Sequence, residues 1–540
     1  MVWRGSHAPQ HGDFCIAEVP ESGPAHLVEV LGADDRPEWD DSTVVSQFRL
    51  RVAFPAPAEA EAGAFSEPGP RERRGRLDLR ERLVFTIDPE DARDHDDALS
   101  VERLATHRWE VGIHIADVSH YVTPGSALDA EARERGTSAY LPGGVVPMLP
   151  EALSSDLCSL RPDRDRLTIS VMVELDPGGR VHGFRFAESV IRSRHRLNYT
   201  EVQEALDRRR KLGNDVQAAL ETVRDLARGL RRRRRAAGAL ELEVPEVKAW
   251  VDANGDVIRI ERRPHLESHE LIEEFMLLAN RCVGAEGARR RAGVLFRVHD
   301  PPLPAKLATL DQQLKTLGLP RPGDLSDPMR ALQQLLAVPL DAPHRRLLHR
   351  MVLRSLSRAR YDARDSGHFG LACREYSHFT SPIRRYPDLH NHARVREWIR
   401  GTPDGGWDPV EIEQLAARVT ASEQTATDAE REAVRVKGLR YLQGRLGDHA
   451  SGMIAGLVPR GLFVELDDVP VEGFVRVSDF DDQFVLDATG VRMVGRRSRR
   501  RFALGDPIDV VIARVDVPAR ECDFAVETPR RPRHRRHGRT

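Results

Sequence analysis

Five aspartates fall within ten residues, among them Asp88, Asp94, Asp96 and Asp97, in the segment Thr86–Leu99 that directly follows the apolar, strand-like run Leu83–Phe85. Carboxylates packed this closely repel one another, so a fold that gathers them either leaves them in water or holds hard divalent cations between them. An oxygen-only ligand set favours magnesium, or manganese, over zinc. No glycine lies among the carboxylates and the spacing is not that of a calcium-binding EF-hand loop. A strand feeding a carboxylate-rich bend suits a catalytic metal site, but spacing alone leaves a solvated acidic turn equally open.

A second segment with chemical potential is Tyr376–Asp388, which carries Ser381, Arg384 and Arg385 around a Ser-Pro turn. A guanidinium held on a rigid turn can clamp a phosphate through two parallel hydrogen bonds. The same arginines could equally cap a neighbouring helix.

Stepping from these residues to the whole chain, 82 Lys and Arg against 84 Asp and Glu give a net charge of −2, but the charge is uneven. Arg231–Arg235 is an unbroken run, Arg496, Arg497, Arg499, Arg500 and Arg501 form another, and the tail 529–540 is almost wholly basic. One such run reads as a solvated helix face; three on a near-neutral chain point to a polyphosphate partner, hence nucleic acid. The five cysteines lack any C-x-x-C pair, which argues against a zinc site or a disulfide framework. No apolar stretch is long enough to span a bilayer and the N-terminus lacks the apolar core of a secretory signal, so a soluble, cytoplasmic monomer with no membrane partner is expected.

The elements that must position these residues are legible in outline. Residues 1–53 alternate apolar and polar positions as a few short strands, including Phe48–Val52, and 54–75, rich in Pro, Ala, Glu and Gly, reads as a linker or loosely packed crossing segment. From 76 to 445 strands such as Trp109–Val118 and Leu167–Leu175 alternate with long helical patterns, giving an α+β fold. In the helix near 269–285, Ile272, Phe275, Met276, Ala279 and Val283 share a stripe while Glu274 points nearly the opposite way, as a solvated glutamate would. Residues 446–526 have five short strands with glycine turns, the pattern of an OB-fold barrel, in which Phe463 and Phe474 would serve either as base-stacking platforms or as ordinary core. The tail from 527 reads as basic and disordered.

Taken together, these segments resemble the RNase II/RNase R family of 3′-to-5′ exoribonucleases, whose catalytic unit is the RNB domain. The matching pieces are Thr86–Ser100, Val111–Val122, Tyr140–Pro150, Leu153–Leu160, Leu271–Asn280, Gly367–Leu371 and His378–Leu389. The resemblance implies an RNB domain over 76–445 with closing helices, a C-terminal S1-like OB-fold, and at residues 1–53 an incomplete cold-shock-like β module. It implies that Asp88, Asp94, Asp96 and Asp97 gather Mg2+ at the end of a narrow channel, with Asp96 the most critical, and that Arg384 contacts the scissile phosphate. It further implies that Tyr140 stacks on the terminal base, that Glu274 holds the terminal nucleotide, and that Arg297, Ser381 and Arg385 join Arg384, Phe463 and Phe474 in contacting single-stranded RNA.

Three departures accompany the resemblance. His95 stands where an apolar residue is usual, and its protonated form would weaken metal binding. Gly238–Pro245 holds no aromatic to serve as a second stacking partner, and the N-terminus matches only the last strands of a cold-shock domain. The competing class, an RNA-binding protein on an RNB scaffold that no longer cleaves, would have a broken aspartate set or a lost arginine, and this sequence has neither.

Overall fold

The computed structural model describes residues 10, 13–18, 26–32, 36–105, 107–243, 246–402 and 407–526. The basic tail 527–540 and the end of the Gly238–Pro245 stretch lie outside the described residues. The strands Phe14–Glu18 (β1) and His26–Gly32 (β2) form an antiparallel pair. The expected strand at Phe48–Val52 is instead irregular chain after the helix Asp40–Gln47. Tertiary contacts override the alternating pattern there: Val44 is fully buried with Ala429, Ala433 and Val436 of the long helix Pro409–Gln443, and Asp40 is ion-paired to Lys437 and Arg440.

The expected linker at 54–75 also proves to be packed structure. Ala56–Gly63 and Pro70–Arg73 are helical, and Ala58 and Ala62 are buried in the main core. Proline at the first turn is compatible with a helix start, and Ala and Glu are strong helix formers, so the composition that suggests a linker equally encodes a short helix.

The centre is a seven-stranded sheet made from Leu77–Asp78 (β3), Val84–Asp88 (β4), Asp97–Arg103 (β5), Trp109–Ala116 (β6), Asp165–Leu175 (β9), Val181–Arg192 (β10) and His195–Asn198 (β11), with the hairpin Ala139–Leu141 (β7) and Gly144–Val146 (β8) standing outside it. Its order is β11-β4-β5-β6-β9-β10-β3, parallel at the two outer pairs and antiparallel within. Alternate residues face opposite layers, as the two-residue period of a strand requires. Phe85, Ile87, Leu99 and Ile113 point to one core with the helices Asn214–Ala236 and Glu267–Arg290, whereas Val84, Ala98, Ala116 and Leu167 point to the other with Leu415 and Val419 of Pro409–Gln443. Three further helices, Pro304–Leu317, Pro328–Leu336 and Ala342–Ser355, enclose a small core of their own.

The α+β expectation is met, and so is the barrel. Strands His449–Val458, Gly461–Leu466, Glu472–Arg476, Pro507–Asp516 and Glu521–Ala525 close into a five-stranded barrel. Between its third and fourth strands is an insertion that periodicity did not separate, a three-stranded sheet of Phe484–Leu486, Arg492–Gly495 and Arg501–Ala503. No helix among the described residues is long and apolar enough to cross a membrane.

Candidate active site

The aspartate segment is not a solvated turn. It leaves the sheet at the end of β4 and re-enters at the start of β5, and between them His95 and Asp96 are buried. Ser159 ties both sides of the loop: its Oγ donates to the Arg93 carbonyl (2.8 Å) and accepts from the His95 N–H (3.0 Å), while the Leu160 N–H donates to the His95 carbonyl (3.0 Å). Arg166, itself buried, donates to the Ser159 carbonyl (2.9 Å) and so holds the clamp from behind.

The second segment meets the first at a backbone contact. The N–H of Ile383 donates to Asp96 Oδ1 (2.9 Å), which sets the adjacent Arg384 with Nε 3.5 Å from Asp96 Oδ2 and Nη2 donating to Ser381 Oγ (3.0 Å). The turn is rigid because the fully buried Asp388 accepts from the Ser381 N–H and the Arg385 guanidinium. On the other side of the acidic loop, the Tyr140 O–H donates to Asp94 Oδ2 (2.7 Å), and its backbone N–H donates to Glu430 Oε1 (2.8 Å) on the helix Pro409–Gln443. The turn of the β7–β8 hairpin is fixed by Asp41, which accepts from the Gly143 N–H (2.7 Å) at a point where a Cβ would collide with the carboxylate.

These groups line one cavity of about 2610 Å³. Asp88, Asp94, Asp96, Asp97, Tyr140 and Arg384 are all on its wall, and so are Phe463 and Phe474 of the barrel, half-buried with ring centroids 5.0 Å apart. The barrel side also contributes Arg460, Arg476 and Arg520 to the lining. The cavity therefore joins the acidic loop to an aromatic, basic barrel face.

Electrostatics favour a cation at the loop. Burial, with Asp88 as the neighbouring like charge, pushes the Asp97 carboxyl up to about 8, and burial raises Asp96 well above the usual carboxylate range despite Arg384. Asp88 Oδ2 and Asp96 Oδ2 are buried without a hydrogen bond. His95 Nδ1 lies 2.8 Å from Asp88 Oδ2 but off the line of a hydrogen bond. Buried carboxylate oxygens lacking donors fit a hard divalent ion. Among the described residues no three His, Cys, Asp or Glu side chains are arranged to hold an ion as they stand; Asp94 is turned to Tyr140.

Four expected RNA contacts are not on the cavity wall. Glu274 is neither solvated nor cavity-lining. Its helix is buried on several sides, and Arg234 Nη2 donates to its Oε1 (2.6 Å), with burial raising its pKa. Arg297 donates to Glu423 (2.6 Å) and lies over the Tyr361 ring, Arg385 is held by Asp388, and Ser381 is buried as a partner of Arg384. Conversely, Tyr199 and Glu430 line the cavity without having been singled out. Tyr199 stacks on His269 (4.0 Å) and feels the charges of Asp97 and Asp88, and it arrives there only because β11 pairs in parallel with β4. No local signal in the sequence marks it.

Residues 76–401 match the RNB domain and 445–527 match the S1 RNA binding domain. The fold and cavity thus belong to the RNB class of exoribonucleases, with an S1 barrel attached. Ribonuclease R of Thermotoga maritima is 38% identical over 530 residues, covering 95% of this chain and 74% of the relative. Ribonuclease R of Escherichia coli is 35% identical over 524 residues, covering 94% of this chain and 64% of the relative. The apo form of Mycoplasma genitalium RNase R superposes with a TM-score of 0.90 at 26% identity, over 97% of this chain and 85% of that one. Its complex with ribose-methylated single-stranded RNA gives 0.87 at 27%, over 93% and 80%. The chain belongs to the ribonuclease R family.

Proposed function

We propose that this chain is a magnesium-dependent exonuclease that hydrolyses single-stranded RNA from its 3′ end, without sequence preference, to nucleoside 5′-monophosphates. The observation that carries the reading is the meeting of Asp96 and Arg384 on the wall of a cavity that also holds the other three aspartates and Tyr140. Manganese is an alternative ion by the same oxygen-donor chemistry, and a cytoplasmic monomer is the working form proposed.

In this reading Asp88, Asp94, Asp96 and Asp97 hold the cation. When bound, the cation supplies Lewis-acid charge for in-line attack of water on the last phosphodiester. Arg384, tethered by Ser381 and facing Asp96, is placed to donate to the scissile phosphate and to stabilise the charge that builds there. Tyr140 is 38% exposed while its hydroxyl is tied to the acidic loop, so a terminal base stacked on it sits at a fixed distance from the carboxylates. Phe463 and Phe474 offer a further stacking surface on the barrel side, and stacking is indifferent to sequence.

The fold alone does not decide cleavage. Yeast Ssd1, a pseudonuclease, shares it at 20% identity with a TM-score of 0.70. What favours hydrolysis here is the complete aspartate set with Arg384 beside it. The test is incubation of the purified chain with 3′- and with 5′-labelled single-stranded RNA, with magnesium and with chelator. Mononucleotides released from the 3′ end in magnesium alone support the reading; tight RNA binding without release would assign the chain to the non-cleaving class.

A further inference from the structure

Asp91 is the fifth aspartate of the acidic segment, and two cations hold it. Lys248 Nζ donates to its Oδ2, and Arg263 Nη2 lies 3.8 Å from its Oδ1. Burial opposes ionisation of Asp91, yet Lys248, and then Arg263, keep its carboxyl below the ordinary carboxylate range, opposite to the raised acids Asp96 and Asp97. Asp91, Lys248 and Arg263 all line the cavity.

Both cations come from one hairpin. Val247–Val251 pairs antiparallel with Val257–Arg262, which sets Lys248 opposite Glu261 and Trp250 opposite Arg259, and Arg263 follows directly. The two-residue period of a strand sorts the side chains. Ala249 and Ile260 are buried with Val436 of the long helix and Val464 of the barrel, which leaves Lys248 and Trp250 on the opposite face. Lys248 Nζ stands 3.9 Å from the centre of the Trp250 ring, whose Nε1 donates to Glu261 Oε1 (3.0 Å), so the ammonium is held by the indole as well as by Asp91. The hairpin is in turn fixed to its surroundings. The buried Lys437 donates to the Gly255 carbonyl (2.8 Å), and Arg262 donates to Glu465 Oε1 (2.8 Å) and to the Asp467 carbonyl (2.6 Å) at the end of a barrel strand.

Asp91 stands midway between Asp88 and Asp94 in sequence. The Ser159 clamp begins only at Arg93; before it, the loop backbone is tied by the exposed Arg196, which donates to the Glu90 and Ala92 carbonyls (2.8 and 3.2 Å), and by the Ala92 N–H on the Pro89 carbonyl (3.1 Å). An ion pair to a carboxylate as exposed as Asp91 adds little to stability, so its consequence is where it holds the loop. We infer that the hairpin is a brace for the carboxylate loop, and that Lys248 and Asp91 are positioning residues that keep Asp88 and Asp94 in place for a divalent cation. That role depends on the metal reading proposed above. Charge and position make opposite predictions for Lys248. Removing a cation from the wall of an acidic site favours a bound metal ion by Coulomb's law, whereas removing an outer contact that orients the ligands disfavours it.

The experiment is Mn2+ titration of the full chain without RNA, read from the electron paramagnetic resonance signal of the free ion, with Asp96→Asn defining which binding belongs to the loop. Lys248→Met, similar in length but uncharged, should raise the Kd for Mn2+ about tenfold, the low end for loss of an outer contact. Lys248→Arg keeps the charge and a donor and should stay within about twofold of the parent. Asp91→Asn should weaken binding at least as much as Lys248→Met, and combining the two should cost nothing further, as for residues acting through one contact. Melting temperatures in chelator should stay within about two degrees of the parent, and RNA affinity in chelator within about twofold. Mn2+ binding that tightens or is unchanged in Lys248→Met would overturn the inference. Full additivity in the double variant, a melting temperature lowered by several degrees, or a loss confined to RNA affinity would overturn it too. If the parent shows no Mn2+ binding that Asp96→Asn removes, the metal reading fails and the brace with it; parent binding that is indifferent to Lys248 sinks the brace alone.

Discussion

Arg384 Nε stands 3.5 Å from Asp96 Oδ2, and the residue before it, Ile383, donates its backbone N–H to the other oxygen of the same carboxylate. Two segments nearly three hundred residues apart in sequence thus share one acid group at the wall of the cavity. The arrangement gives Arg384 two tasks, balancing a buried carboxylate and facing the substrate phosphate.

Removing that guanidinium separates the two tasks. Arg384→Ala should lower kcat by about a hundredfold or more, as for loss of a charge-stabilising donor, while RNA affinity in chelator falls only a fewfold. Arg384→Lys should recover part of the rate, since it restores charge without the fork. Equal losses in binding and in rate would make Arg384 an affinity residue only.

The raised carboxyl of Asp97 makes a prediction about pH. It ionises near 3.8 ordinarily and near 8 in the folded, metal-free chain, so the folded state binds more protons than the unfolded state between those values. Its contribution to stability therefore falls as pH rises through that window and levels above about 8. Asp97→Asn mimics the protonated acid without titrating. In chelator the melting temperature of the parent should drop relative to Asp97→Asn between pH 5 and 8, and added magnesium should raise the parent's melting temperature more at pH 8 than at pH 6, because the ion requires ionised carboxylates. A gap between parent and variant that does not change with pH would contradict this account of the loop.

Glu274 is expected to report on stability more than on catalysis. It is 5% exposed and bound to Arg234, and breaking a buried ion pair by truncating one partner costs about 3 kcal/mol. Glu274→Ala should lower the melting temperature by several degrees, with Glu274→Gln milder because the amide oxygen can still accept from Arg234, and both should leave the KM for RNA within about twofold. A variant with an unchanged melting temperature and a raised KM would return Glu274 to the RNA-holding machinery.

How much was legible follows from which signals are local. The acidic loop, the Ser-Pro turn with Arg384, the central-sheet strands at Trp109–Ala116 and Asp165–Leu175 and the five-stranded barrel are each written in contiguous residues, and each is where the pattern places it. Glu274 was misread from periodicity because that method assumes one buried face, whereas its helix packs on several sides and meets Arg234. The segment 54–75 misled because Pro, Ala and Glu serve both linkers and short helices. Tyr199 could not be found at all, since its place beside the aspartates depends on the parallel pairing of two strands far apart in sequence.

The central claim is that the four aspartates and Arg384 cut RNA, with Asp96 at their centre. Asp96→Asn isolates it, because the amide Oδ1 can still accept from the Ile383 N–H and preserve the fold while the charge facing Arg384 is lost. The measurement is mononucleotide release from a 3′-labelled single strand in magnesium, alongside affinity for the same RNA in chelator. The account predicts release reduced at least a thousandfold, on the order of the loss of a principal catalytic group, with affinity within a few fold of the parent. Release that persists at the parent rate, or affinity lost in step with it, would contradict the account.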